Sequence, residues 1–369
     1  MKKYIIHITL AFALLLGAKE SNSQDYNAFY IGHSLSDQIP DMVESIAKDV
    51  FETNFEWTYQ GIPGAPLRWQ WDRKNERDYN IIEPHYFGFY DENEGLPTGE
   101  FDLLVLTEAV PRYGDLINET YQYADSLARY ALQYNPGTKI YLYEDWHCIK
   151  SGTPTGCDYD VDANPWRQRL EDDLPMWESV VDTLNSRLSP TNQVCMIPAG
   201  QALAQLYDSI AVGSVPGLTS IDDLFSDDIH LTDVGKYFVA CVHFATIFGA
   251  SPVGATNQTQ VWWGGDFEDI PTEEQAKFFQ EIAWKVSVEY ENSCISGTQT
   301  NVEITIPQKG FTLNGNILRF KNGATTFSVY NTVGTTIYKG NAERFDFNNY
   351  PAGVYFVAVG NEIIKVLNN

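Results

Sequence analysis

The chain has 369 residues and carries 49 acidic against 24 basic side chains, a formal charge of −25. Phosphate recognition depends on Lys and Arg, so this balance argues against nucleic acid and polyanionic substrates and favours neutral or weakly charged ones. The length allows one sizeable enzyme domain and a small appendage.

Lys2 and Lys3 precede an apolar run from position 4 to 17 and a small, polar stretch ending Ser21-Asn22-Ser23-Gln24. That layout predicts a cleavable signal peptide over 1–23 and a secreted or cell-surface mature protein. The apolar run is shorter than the roughly 20 residues a membrane-crossing helix needs, and no comparable run follows, so no membrane span is expected. Disulfides are permitted in such a compartment. Of the five cysteines, Cys148 and Cys157 flank a loop with Gly152, Pro154 and Gly156 and are the pair most readily joined; Cys195 and Cys241 lie in core-like apolar patterns.

Over 24–293, apolar runs of strand length alternate with segments of helical period, the pattern of an α/β domain with a largely parallel sheet. Strands are predicted at 27–31, 55–60, 101–107, 139–144 and 194–198, and helices at 38–51, 120–134, 165–188, 200–210, 233–248 and 273–290. Pro175 should kink or split the third helix, while Thr272 with Gln275 forms a capping-box start for the last. Beyond Ser293 helical period gives way to short β-branched and aromatic runs punctuated by Gly and Asn, predicting a small all-β sandwich over 298–369. Its strands are expected at 302–306, 317–320, 326–330, 344–347, 354–359 and 363–367.

The chemistry-bearing residues come in two widely separated blocks. Gly32-His33-Ser34-Leu35 follows the first strand and precedes a helix, which puts Ser34 at the carboxyl edge of the sheet. Asp227-Asp228-Ile229-His230-Leu231 stands just ahead of an amphipathic helix. A serine hydroxyl is a poor nucleophile near neutrality and needs an imidazole to take its proton, with a carboxylate to hold the imidazole tautomer. A carboxylate three residues before a histidine can do this through a local turn, with Asp227 on one ring nitrogen and Ser34 on the other. Asp228 reads as a solvated charge.

Together these blocks resemble the first and last blocks of the SGNH/GDSL hydrolases. The resemblance covers roughly 27–250 and implies a three-layer α/β/α, flavodoxin-like fold and ester hydrolysis through an acyl-enzyme, with Ser34, Asp227 and His230 catalytic. Where the family's first block reads Gly-Asp-Ser, this chain has His33, at a position whose side chain is not itself catalytic. The family's second block supplies a glycine N–H to the oxyanion, and in Gln60-Gly-Ile-Pro-Gly-Ala-Pro-Leu67 the better match is Gly64, with Gly61 the fallback. The family's third block has an oxyanion-binding Asn after the third strand. Here that Asn is absent and Glu108 stands at the equivalent place. Either Glu108 is protonated in a dry site, or it binds substrate hydroxyls, or Thr107 donates instead.

Trp146 and His147 end the fourth strand, where substrate would lie. Arg68, Trp69 and Trp71, with Trp262 and Trp263, offer a sugar-stacking surface if they are not core. Asp158, Asp160 and Asp162 start like a calcium loop that lacks its Gly and final Glu. Neither metal nor cofactor is expected, since no zinc motif, phosphate loop or dinucleotide fingerprint is present. The C-terminal stretches 327–334, 349–355 and 363–365 resemble the sorting domain of the type IX secretion system, which implies the secretion machinery as a partner. The resulting expectation is a secreted serine esterase acting on acylated, in particular acetylated, carbohydrate. The alternatives are a lipase or acylesterase for small lipids, and a non-catalytic carbohydrate-binding surface protein on a decayed hydrolase fold.

Overall fold

The computed structural model describes residues 25–72, 87–112, 114–153, 156–157, 160, 163–295, 311–314, 317–320, 323–331, 336–350, 353–359 and 362–368. The expected signal peptide, the strand expected at 302–306, and Asp158 and Asp162 lie outside the described residues. The chain divides into two compact units, Met1–Ile295 and Ser296–Asn369.

In the first unit the strands are β1 (Tyr26–Gly32), β2 (Phe55–Gly61), β3 (Leu103–Thr107), β4 (Lys139–Tyr143) and β5 (Val194–Ile197). They form one parallel sheet in the order β2-β1-β3-β4-β5. Side chains alternate between its faces, as the two-residue period of a strand requires. Tyr26, Ala28, Tyr30, Leu103, Val105, Tyr141 and Tyr143 enter one core, and Phe29, Ile31, Leu104, Leu106, Ile140 and Leu142 enter the other. Burial on both faces explains why these strands read as continuous apolar runs.

Among the described residues eight α-helices cover the two faces: α1 (Ile39–Phe51), α2 (Leu67–Asp72), α3 (Leu116–Tyr134), α4 (Trp166–Asp172), α5 (Leu174–Arg187), α6 (Ala199–Ala211), α7 (Asp233–Phe248) and α8 (Glu273–Glu289). The first core takes Met42, Val43 and Ile46 of α1, Leu203 of α6, Phe238 and Val242 of α7 and Phe279 of α8. The second takes Leu127 and Ala131 of α3 and Trp177, Val181 and Leu184 of α5. The result is a three-layer α/β/α unit of flavodoxin-like strand order. Such sheets place ligands where strand order reverses, at the carboxyl ends of β1 and β3.

The helix expected at 165–188 is two helices. The break falls at Asp173, because Pro175 at the second position of α5 has no N–H to donate back and disfavours helix before it. Thr272 caps α8 reciprocally with Gln275, as the spacing predicts. Cys148 is bonded to Cys157 and Cys195 to Cys294. Cys195 is therefore a half-buried cross-link and not simply core, while Cys241 is buried and free.

The second unit holds two antiparallel sheets: β6 (Phe311–Asn314), β7 (Ile317–Phe320) and β10 (Arg344–Asp346) in the order β10-β7-β6, and β8 (Thr325–Asn331), β9 (Thr336–Ala342), β11 (Gly353–Val359) and β12 (Glu362–Asn368) in the order β12-β11-β8-β9. Leu318, Phe320, Phe327, Val329, Phe345, Phe347, Tyr355 and Val357 make its core. Sequence reading misses two edge strands, β6 and β9; in β9 Lys339-Gly340-Asn341 interrupts the β-rich pattern.

The Cys195–Cys294 bond closes a loop across 99 positions and ties the end of the first unit to β5. Replacing both cysteines by Ala should lower stability by about 2 to 4 kcal/mol through the freed unfolded chain. A lower urea midpoint at unchanged activity is the expected reading.

Candidate active site

Gly32 ends β1 and the chain turns into a short 3-10 helix over Ser34–Ser36. A Cβ at position 32 would lie 2.5 Å from Ser36 Oγ and 2.9 Å from Thr107 Cγ2, so only glycine lets the turn close against β3. The carbonyls of the turn are held from the core side. Gln70 Nε2 donates to Gly32 O, the Tyr59 hydroxyl to His33 O at 2.6 Å, and the Tyr143 hydroxyl to Leu35 O at 3.0 Å. Gln38, which leads into α1, has φ of 66°, a left-handed conformation unusual for a residue with a Cβ, and its Oε1 accepts from Lys236 Nζ at 2.6 Å. Strained backbone of this kind gathers at functional sites.

The second turn precedes α7. Asp227 Oδ1 accepts the N–H groups of Ile229 at 2.8 Å and His230 at 2.7 Å, while Oδ2 lies 2.7 Å from His230 Nδ1. His230 Nε2 is 2.8 Å from Ser34 Oγ. Partial burial pulls the Asp227 carboxyl upward, but the two backbone donors and the imidazole outweigh it and hold its pKa below the usual value. Asp227 is thus an anion facing Nδ1–H, which leaves the Nε2 lone pair for the serine proton. The turn is clamped from outside: Trp146 Nε1 donates to Ile229 O at 2.8 Å, Ile149 N to Asp228 O at 2.8 Å, and Ser226 N to His230 O at 2.8 Å. Asp228 pairs with Lys150.

Ser34 and His230 open on a cleft of about 340 Å³ whose walls include Asp37, Gln38, Lys236, Trp262 and Trp263. Asp37 is largely withdrawn from water, which pushes its carboxyl up to about 6 against the pull of Tyr59 and Lys236. Trp262 is seated by its backbone N–H, which donates to Asp41 Oδ1 at 2.7 Å; Trp263 packs edge-on to it and is 59% exposed.

Gly64 has φ of 63° in the turn Ile62-Pro63-Gly64-Ala65, where the Ala65 N–H, not that of Gly64, closes onto Ile62 O at 3.0 Å. The turn is tied to the nucleophile strand by Ile62 N donating to Gly32 O at 3.1 Å. Gly61 ends β2, paired with Gly32.

The remaining sequence candidates are placed differently. The Thr107 hydroxyl donates to Tyr143 O at 2.8 Å and is buried, so it is engaged away from any oxyanion. The Glu108 carboxylate accepts from Leu67 N at 3.1 Å, Ala109 N at 2.9 Å, Arg112 Nη2 at 2.7 Å and the Thr120 hydroxyl at 2.8 Å. With all four of these protein donors on it, this carboxylate is engaged away from any substrate and ties the start of α2 to the early turns of α3. His147 is buried between Asp160, Asp173 and Arg169, and Trp146 braces the histidine turn as well as lining the cleft. Asp160, the described member of the calcium-like triplet, is bound to Arg169 and His147. Trp71 packs on Phe89 and Tyr130, and Arg68 pairs with Asp72 and Glu119, so of the aromatic candidates only Trp262 and Trp263 join Trp146 at the cleft. Asp37, Gln38 and Lys236 were missed by sequence reading; their nearness in sequence to Ser34 and to His230 is the signal that marks them.

No family model and no curated protein matches the chain. Among solved structures it is similar to a DUF4886 family protein from Bacteroides uniformis (14% identity, TM-score 0.45, covering 73% of this chain and 96% of the other). It is also similar to a lipase/acylhydrolase from Enterococcus faecalis (14%, 0.37, 61% and 96%) and to a carbohydrate esterase family 3 protein from Talaromyces cellulolyticus (10%, 0.38, 61% and 97%). The functional reading therefore rests on the side chains themselves.

Glu108→Gln keeps the shape but removes the charge that faces Arg112, whose side chain is only 10% exposed. Breaking such a pair costs about 3 kcal/mol or more. The variant should unfold at markedly lower urea, while its folded fraction hydrolyses a simple ester at near wild-type turnover.

Proposed function

We propose that the protein is a serine esterase that cleaves carboxylic esters through an acyl-enzyme. The observation that carries this is the continuous relay from Asp227 through His230 to Ser34, with contacts of 2.7 and 2.8 Å, open to a cleft. Ser34 Oγ attacks the ester carbonyl carbon as His230 Nε2 takes its proton, and Asp227 stabilises the imidazolium. The carbonyl oxygen becomes an oxyanion, for which the backbone N–H groups of Ser34 and Gly64 are the candidate donors. Collapse expels the alcohol, protonated from His230. Water then attacks the acyl group with His230 as base, releasing the acid and restoring Ser34.

The favoured substrate is an acetylated carbohydrate. Trp262 and Trp263 beside the nucleophile suit the flat faces of a pyranose, and Asp37, Gln38 and Lys236 suit its hydroxyls. The net charge of −25 fits neutral glycans better than polyanions. In this reading residues 1–23 export the enzyme and the C-terminal β unit addresses it to the type IX secretion machinery, so that it meets its substrate outside the cell.

Ser34→Ala and His230→Ala should each lower hydrolysis of 4-nitrophenyl acetate by at least about a thousandfold with unchanged melting. Asp227→Asn should follow closely, because it leaves the imidazole in the wrong tautomer. Trp263→Ala should spare that small ester and lower kcat/KM several-fold on an acetylated xyloside. Wild-type turnover by Ser34→Ala would refute the nucleophile. Equal effects of Trp263→Ala on both substrates would refute the sugar wall.

A further inference from the structure

The relay uses His230 and leaves a second histidine–carboxylate pair beside the nucleophile without a task. His33 is 4% exposed, and its Nε2 lies 3.1 Å from Oδ2 of Asp145, a side chain with no exposed surface. The same nitrogen is 3.4 Å from the Glu108 carbonyl. The other nitrogen, Nδ1, accepts the N–H of Leu35 at 3.4 Å. Among the described residues neither Asp145 oxygen meets a donor in full hydrogen-bond geometry, so its close approach to His33 Nε2 is its nearest compensation. Two buried ionisable groups without further compensation are costly, and nothing in the core demands them at this point.

The roles of the two nitrogens are linked. An imidazole accepts at Nδ1 only when that nitrogen carries no proton, and a carboxylate on Nε2 selects this tautomer. Leu35 belongs to the 3-10 turn that opens at Ser34, and the three carbonyls around it are already fixed by Gln70, Tyr59 and Tyr143. His33 adds an acceptor for an amide of the same turn. A second proton on His33 would set Nδ1–H against Leu35 N–H, two donors face to face, and would displace the ring or the turn.

We propose that His33, oriented by Asp145, is a positioning residue for Ser34, and that the nucleophile turn is set only while Nδ1 of His33 carries no proton. This rests on Ser34 being the nucleophile. The groups facing the pair are Asp145, Glu144 and His147 from the end of β4, Glu108 with Arg112 after β3, Asp37 from the nucleophile turn, and Tyr59 of β2 on the His33 carbonyl. Burial disfavours a charge on His33, but Asp145 and Glu108 outweigh it and raise its pKa above that of a free histidine. Protonation of His33 then joins that of His230 in the acid limb of activity.

The test is the pH dependence of kcat/KM for 4-nitrophenyl acetate with the full chain and its His33→Asn, His33→Ala and Asp145→Asn variants. In the wild type the acid limb should fall with the second power of proton concentration, since either histidine blocks the reaction when protonated. Asn at 33 can still accept from Leu35 N–H but does not titrate, so His33→Asn should keep kcat within about tenfold and fall with the first power only. His33→Ala should lose about 10- to 100-fold in kcat with little change in KM, the effect of a misplaced nucleophile. Asp145→Asn keeps an acceptor for Nε2–H without the charge, so the second protonation should move to lower pH. A first-power limb in the wild type that His33→Asn reproduces, or wild-type kcat in His33→Ala, overturns the proposal. Should Asp145→Asn fail to fold, the comparison of wild type with His33→Asn decides alone. Ser34→Ala, run alongside, separates the two levels, because full turnover there would remove the nucleophile and with it the task assigned to His33.

Discussion

The contact between Ser34 Oγ and His230 Nε2 joins two turns that are 196 residues apart in the chain, each held by its own set of donors. The nucleophile turn is fixed through its carbonyls by Gln70 of α2, Tyr59 of β2 and Tyr143 of β4. The histidine turn is fixed through the carbonyls of Asp228, Ile229 and His230 by Ile149, Trp146 and Ser226. Tyr59 and Tyr143 reach the site from β2 and β4, and Trp146 and Ile149 from the segment just after β4, so the spacing of β1, β2 and β4 bears directly on the distance between Ser34 and His230. A displacement of about 1 Å in that frame can cost a hundredfold in rate.

Five carboxylates are buried among the described residues, and besides Asp41 of α1 they are Glu108, Glu144, Asp145 and Asp160, an unusual load for a chain that is already strongly acidic. Each of the last four is compensated in its own way. Glu108 has Arg112 and two backbone donors. Asp160, despite its burial, is held low by His147 and Arg169. Asp145 faces His33. Glu144 has no cation; burial pushes it up to about 8 against two donors from Gln201, so it is mostly neutral near pH 7 and acts as a polar strut between β4 and α6. Networks of this kind add little net stability but penalise every arrangement that leaves one member unpaired. That penalty suits the floor of a site whose geometry must be single-valued.

The sheet and the turns that bring Ser34, Asp227 and His230 together were legible in the sequence because their signals are local: apolar runs bounded by Gly and Pro, a Gly-x-Ser after a strand, an Asp three residues ahead of a His. What escaped was decided by partners far along the chain. Thr107 and His147 sit at strand ends, as a substrate-binding residue would, yet Tyr143 O and the Asp160–Arg169–Asp173 group engage them first. Glu108 could be aligned with a family Asn, but alignment says nothing of Arg112 and Thr120 waiting on the other side. Cys195 pairs across 99 positions, and no pattern within β5 announces it. Trp71 and Trp262 look alike in sequence; one stacks on Phe89 in the second core, and the other is drawn to the cleft by Asp41.

That last difference bears on how substrate choice is built. Trp262 and Trp263 lie on the connection between α7 and α8, which contributes no member of the relay and is seated on α1 by Thr256 N on Asp49, Gln260 N on Ser45 and Trp262 N on Asp41, with Gln260 also bonded to Asp266. Asp37 and Gln38, by contrast, directly follow the turn that carries Ser34, and Lys236, in the first turn and a half of α7 just after the turn that carries His230, donates to Gln38. Under the proposed esterase reading, the aromatic wall is the part that can change with little effect on bond cleavage, because it lies on a connection separate from both turns, whereas a change at Asp37, Gln38 or Lys236 disturbs the segments that adjoin Ser34 and His230.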